Sequence, residues 1–88
     1  MKISKIYYTS IFLKQLTKIP ARFKEEFDKQ EKIFKIDPFD ARLKTHKLKG
    51  KLKDYWAFSI SRSHRIIFEF IKKDTVLFYK IGTHGIYK

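Results

Sequence analysis

Three apolar runs, Tyr55–Ser61, Arg65–Ile71 and Thr75–Gly82, follow one another with only a few residues between them. Each is rich in aromatic and β-branched side chains, the residues that fit a pleated, half-buried surface. Connections this short join antiparallel neighbours, because a parallel crossover needs a dozen or more residues. The C-terminal part of the chain is therefore expected to be a three-stranded meander. A slip of one residue would turn a strand over, so the register is a definite expectation. Opposing Ser61 to Arg65 aligns Ile60 with Ile66, Phe58 with Phe68 and Trp56 with Phe70. That gives one wholly apolar face and a loop at Arg62-Ser63-His64. A turn at Lys73-Asp74 adds Leu77, Tyr79 and Ile81 to the same face. The opposite face then holds Ser59, Ser61, Arg65, Ile67, Glu69, Phe78 and Lys80, and His84 falls beside Arg65 if pairing continues.

The apolar face needs cover, and the first half of the chain has the pattern to supply it. Ile3–Tyr8 reads as a strand, with Ser10 as the expected N-cap of a helix whose Phe12, Leu13, Leu16 and Ile19 recur at helical spacing. Pro20 suits the first turn of a second helix, whose Phe23, Phe27 and Phe34 keep one face apolar. Its five basic and four acidic residues from Arg22 to Lys35 nearly cancel, as on a solvated face. Asp37-Pro38 ends it, and a basic connection bending at Gly50 runs to Lys53. The expected fold is one α+β domain over residues 1–88, with two N-terminal helices on one face of a small, mainly antiparallel sheet in the order β-α-α-β-β-β. A chain of this length buries only ~60% of its unfolded surface, so the core is thin.

Charge narrows the function. The net charge is +12, and from Arg42 to Arg65 eight basic side chains face one acid, Asp54. With 43% hydrophobic residues this is a folded basic domain, for which nucleic acid is the leading partner and an anionic membrane surface the second. The absence of cysteine excludes a disulfide framework, a thiolate metal site and a cysteine nucleophile. No signal-peptide core and no run near ~18 apolar residues is present, so a cytoplasmic protein with no membrane partner is expected. Nor is there a Gly-rich phosphate loop or a His-x-x-x-His pair, and no metal or other cofactor is expected.

His84, between Gly82-Thr83 and Gly85, follows a strand and can approach a ligand closely; the plain alternative is a mobile surface histidine. Arg65 offers a planar donor fork suited to phosphate, against an ordinary ion pair with Glu69. His46 lies in the basic connection, where a solvated histidine is the simpler reading, and His64 is read as a loop residue. Lys47, Lys49, Lys51 and Lys53 are either a phosphate-docking run or a solvated edge. Two histidines and an arginine on a basic surface suffice for metal-free RNA cleavage, since histidine with its pKa of ~6.5 can both take and give a proton. Tyr87 and Phe78 are aromatics available to stack on a base.

The segments His46-Lys47-Leu48-Lys49-Gly50, Tyr55-Trp56-Ala57-Phe58-Ser59-Ile60, His64-Arg65-Ile66-Ile67-Phe68 and Gly82-Thr83-His84 together resemble the RelE/ParE toxins of bacterial type II toxin-antitoxin systems, above all the YoeB and YafQ branches. The resemblance implies a toxin that enters the ribosomal A site and cuts messenger RNA by attack of a ribose 2′-hydroxyl on the adjacent phosphate, without metal or small-molecule cofactor. It further implies inhibition by a cognate acidic antitoxin. On this pattern His46 and His84 transfer protons, Arg65 stabilises the transition state, Lys49 contacts phosphate and Tyr87 holds the base. YafQ-like sequences carry an acid and a histidine in the second strand where this chain has Ala57 and Ser59. The alternatives are a ParE-like toxin directed at DNA gyrase and a noncatalytic RNA-binding module.

Overall fold

The computed structural model describes residues 1–87. Strand β1 (Lys5–Tyr8) leads to helices α1 (Ser10–Lys18) and α2 (Ala21–Ile36). Three strands β3 (Trp56–Ser59), β4 (Arg65–Lys72) and β5 (Thr75–Gly82) form the expected meander. A further short strand, β2 (His46–Lys47), lies within what the sequence suggests is only a basic connection. The sheet order is β1-β5-β4-β3-β2, with β1 parallel to β5 and the other three pairings antiparallel. The α+β class and the helices on one face of a mainly antiparallel sheet are as expected.

The cap of α1 is Thr9 and not Ser10. Thr9 is still extended, and its Oγ1 accepts from the Phe12 backbone N–H at 2.9 Å, whereas Ser10 is already helical. Pro20 stands at the N-cap of α2, one residue before the turn it was expected to open. At the other end the Asp37 N–H bonds the Ile33 carbonyl at 3.0 Å and closes the helix.

Phenylalanines hold the layers together. Phe34 of α2 stacks on Phe58 at 4.7 Å and meets Phe68 and Phe78 edge-on at 4.9 and 5.3 Å. Phe12 of α1 reaches Phe78 at 5.5 Å, and all five rings are fully buried.

Two register differences follow from forces that alternation does not sense. Ser59, not Ser61, opposes Arg65, so Phe58 meets Ile66 and Trp56 meets Phe68. A shift of two leaves every side chain on its expected face, and the longer loop is held by its own polar groups. Ser61 Oγ accepts from the Ser63 and His64 backbone N–H groups at 3.3 and 3.1 Å. In β4–β5 the expected ends hold, Lys72 opposite Thr75 and Arg65 opposite Gly82, but two offsetting bulges at Ile71 and Tyr79 lie between them. Between the bulges β5 is turned over. Val76 and Phe78 enter the core in place of Leu77 and Tyr79, so Phe78 is not free to stack on a base.

Candidate active site

The sheet face away from the helices carries the row His46, Ala57, Ile67 and Lys80, residues opposed in turn across β2, β3, β4 and β5. Ala57 and Ile67 are fully buried and form its floor, and Tyr55 stacks on Tyr79 at 5.0 Å above the same face. His46 stands at the exposed edge of this row. Its Nδ1 donates to the Lys44 carbonyl oxygen at 3.0 Å, which leaves Nε2 as the ring nitrogen able to accept a proton. Lys44 aims that carbonyl from a left-handed backbone, φ 54° and ψ 38°, an unusual state for a non-glycine residue.

Gly50, at φ +67°, then turns the chain into a 3₁₀ segment (Gly50–Leu52), a conformation in which a β-carbon would be strained. The turn folds Lys49 and Lys51 back toward His46. These three residues, with Leu48, Leu52 and Tyr87, line a cavity of about 410 Å³. Lys47 points the other way, its Nζ 5.4 Å from the centre of the Trp56 ring on the helix side of the sheet, and Lys53 is not among the lining residues.

Strand pairing ends at Gly82 opposite Arg65, and His84 opens a last 3₁₀ turn (His84–Tyr87). An added β-carbon at position 82 would lie 2.6 Å from Ile86 Cγ2, so glycine lets this turn pack closely on the strand end and a larger residue would displace Ile86. The His84 and Tyr87 rings meet edge to face at 5.0 Å, so His84 joins the cavity through Tyr87 and does not lie alongside Arg65 in an extended strand. Burial pushes the Tyr87 hydroxyl pKa up, while the neighbouring Arg65 charge pulls it down. One guanidinium nitrogen of Arg65, Nη1, donates to the Ser61, Arg62 and His64 carbonyls at 3.0, 3.1 and 3.3 Å and so anchors the β3–β4 loop. No Glu69 pair forms, and Arg42–Asp40 is the only ion pair among the described residues.

The structure thus gathers His46, Lys49, Lys51, Tyr87 and, through Tyr87, His84. His64 lies in the β3–β4 loop, as expected, but is buried there: it is 7% exposed, packs on Phe23 at 4.3 Å and bonds Ser63 Oγ through Nδ1 at 2.8 Å. Burial, and secondly the Arg22 charge, lower its pKa. The orienting Lys44 carbonyl and the apolar lining by Leu48 and Leu52 escaped the sequence reading, since no residue type signals them.

Neither a protein-family model nor a curated protein matches the sequence. Solved structures do match in fold. The YoeB/ParE toxin from Agrobacterium tumefaciens is 21% identical, with 91% of this chain and 98% of that one aligned at a TM-score of 0.75. The archaeal RelE–RelB complex from Pyrococcus horikoshii OT3 aligns over 97% and 98% at 18% identity and a TM-score of 0.74. The E. coli DinJ–YafQ toxin-antitoxin complex aligns over 98% and 97% at 20% identity and a TM-score of 0.72. The chain therefore has the RelE/YafQ-like fold, and at these identities its chemistry must be argued from its own residues.

Proposed function

We propose that the chain is the toxin of a type II toxin-antitoxin pair and acts as a ribosome-dependent messenger-RNA endonuclease. The observation that carries this reading is the shared cavity: an oriented histidine, two lysines and a tyrosine backed by a second histidine line one basic recess. His46 Nε2 removes the proton of a ribose 2′-hydroxyl, and that oxygen attacks the adjacent phosphorus. The bond from phosphorus to the 5′-oxygen breaks, and His84 in its protonated form gives that oxygen its proton. The products are a 2′,3′-cyclic phosphate and a free 5′-hydroxyl, with both proton transfers carried by protein side chains. Arg65, Lys49 and Lys51 offset the charge of the phosphorane, and Tyr87 stacks on a base. The +12 charge favours an acidic antitoxin as inhibitor, and of the structures with this fold DinJ–YafQ is a toxin-antitoxin complex and RelE–RelB a complex of two proteins.

The test is primer extension and single-turnover cleavage on ribosomes programmed with messenger RNA. The parent should give discrete cuts, and His46→Ala and His84→Ala should each slow them by ~10²- to 10⁴-fold, the usual contribution of an acid-base group. Cleavage by His84→Ala within a factor of a few of the parent removes His84 from the reaction. No cutting by the parent, with inhibition of DNA gyrase in its place, favours the ParE-like reading.

A further inference from the structure

A second recess is lined in part by Lys44, two residues from His46. Its volume is about 300 Å³, and of its lining residues Arg42, Lys44, Arg62 and Arg65 are basic and none is acidic. Lys44 is common to both neighbourhoods, because its carbonyl holds His46 while it also lines this recess, and the two residues are at most ~7 Å apart along the backbone. The Arg42 guanidinium is taken by Asp40 through Nε and Nη2 at 3.0 and 2.9 Å. Lys44, Arg62 and Arg65 make no ion pair among the described residues.

Four carbonyls of the lining residues are already occupied. Gln30 Nε2 donates to the Ser59 and Arg42 carbonyls at 3.0 and 3.3 Å, and Arg65 Nη1 to those of Ser61 and Arg62. These four carbonyl oxygens are therefore bonded within the protein. Arg65 is held in place by the same contacts, and its Nε and Nη2 have no partner among the described residues. Like charges converging on one concave site oppose folding unless something negative enters.

We propose that this recess binds a second phosphodiester of the substrate strand, next to the one that is cut, through Lys44 and Arg62, while the free edge of Arg65 faces the phosphate that is cut. The proposal rests on the RNA-cleaving reading for the identity of its ligand. Two adjacent grips would fix the strand's position so that one ribose faces His46, which a single phosphate contact does not do.

The experiment measures affinity of the full chain for a short single-stranded RNA made uncleavable by 2′-O-methylation, without ribosomes, while one neutral methylphosphonate linkage is moved along the strand. In the parent, one linkage beside the scissile position should cost about 3- to 10-fold in affinity, the value of a charge-assisted contact discounted for solvent. In the Lys44→Asn, Arg62→Gln double variant that particular cost should vanish while the cost at the scissile linkage stays. Asparagine tolerates the left-handed backbone and so keeps the carbonyl that holds His46. A melting curve matching the parent's establishes that the variant is folded. An equal cost at every linkage, or a profile unchanged in the variant, overturns the proposal. So does a variant that loses affinity for an acidic peptide while keeping the RNA profile, since the recess then belongs to a protein partner. Because binding is read on uncleavable RNA, a failure of cleavage on ribosomes leaves this result standing by itself.

Discussion

Arg65 is given two tasks by its geometry. Its Nη1 closes the β3–β4 loop on three carbonyls while its charge reaches the Tyr87 hydroxyl. Arg65→Lys keeps the charge but cannot span three acceptors and present a second edge to phosphate at once. The variant should lose cleavage nearly as fully as Arg65→Ala and should also lose on the order of 1 kcal/mol of stability, the low end for charged hydrogen bonds because the group is partly exposed. Single-turnover rates and urea midpoints check the two parts, and near-parental cleavage by the lysine variant removes the fork from the mechanism. His64 shows what local sequence leaves out. It reads as a loop residue, yet its ring fills space against Phe23. Its folded pKa lies below the ordinary 6.5, so near that pH the unfolded chain binds more protons than the folded one. Stability should therefore be fully present above 6.5 and fall as pH drops from there through the folded value. Melting temperatures from pH 7.5 to 5 should show this fall, and His64→Gln should flatten it whatever its own stability.

At the scale of elements, the bulge in β5 decides which residues reach the core, and α1 bonds beside it. Thr9 Oγ1 donates to the Tyr79 carbonyl at 2.7 Å while accepting from Phe12, and Gln15 Oε1 accepts the Ile81 N–H at 2.9 Å. The helix start thus satisfies backbone groups of β5 just beyond Phe78, where pairing with β1 ends. Thr9→Val removes both the cap and the bulge contact and should cost about 1–3 kcal/mol, whereas Thr9→Ser should recover most of it. Chemical denaturation of the pair measures this directly, and equal loss in both variants means that the methyl group and not the hydroxyl matters. The same economy explains β2. Pairing with β3 puts His46 on the open face and Lys47 on the other, so a run of alternating lysines does not act as one surface.

Over the whole molecule, +12 charges on a thin core leave both basic and apolar surface uncovered. Tyr7, Ile11, Leu13, Ile36, Phe39 and Ile71 are all more than 40% exposed. An acidic chain that is disordered alone and folds on binding would complement both. Co-expression with such a partner should abolish toxicity and raise the melting temperature, by about 2.7 kcal/mol of added stability at a hundredfold excess over Kd. Its association rate should fall steeply with salt. A partner rate that does not change with ionic strength assigns the interface to apolar contact instead.

Period-two alternation was enough to determine that Trp56 and Phe58 of β3, the following Ile60, and Ile66, Phe68 and Phe70 of β4 turn toward the helices, and the count of charges put His46 and Arg65 in one basic stretch. Alternation is unchanged by a shift of two, so it did not distinguish Ser59 from Ser61 opposite Arg65. It is also blind to a bulge, and here the bulged Tyr79 is bonded by Thr9, 70 residues away, and the neighbouring Ile81 by Gln15, 66 residues away. Those contacts exist only once α1 lies on β5. The burial of Phe78, the left-handed Lys44 carbonyl on His46 and the meeting of Tyr87 with His46 in one cavity were accordingly decided by the tertiary structure, because each depends on backbone groups brought together by distant segments.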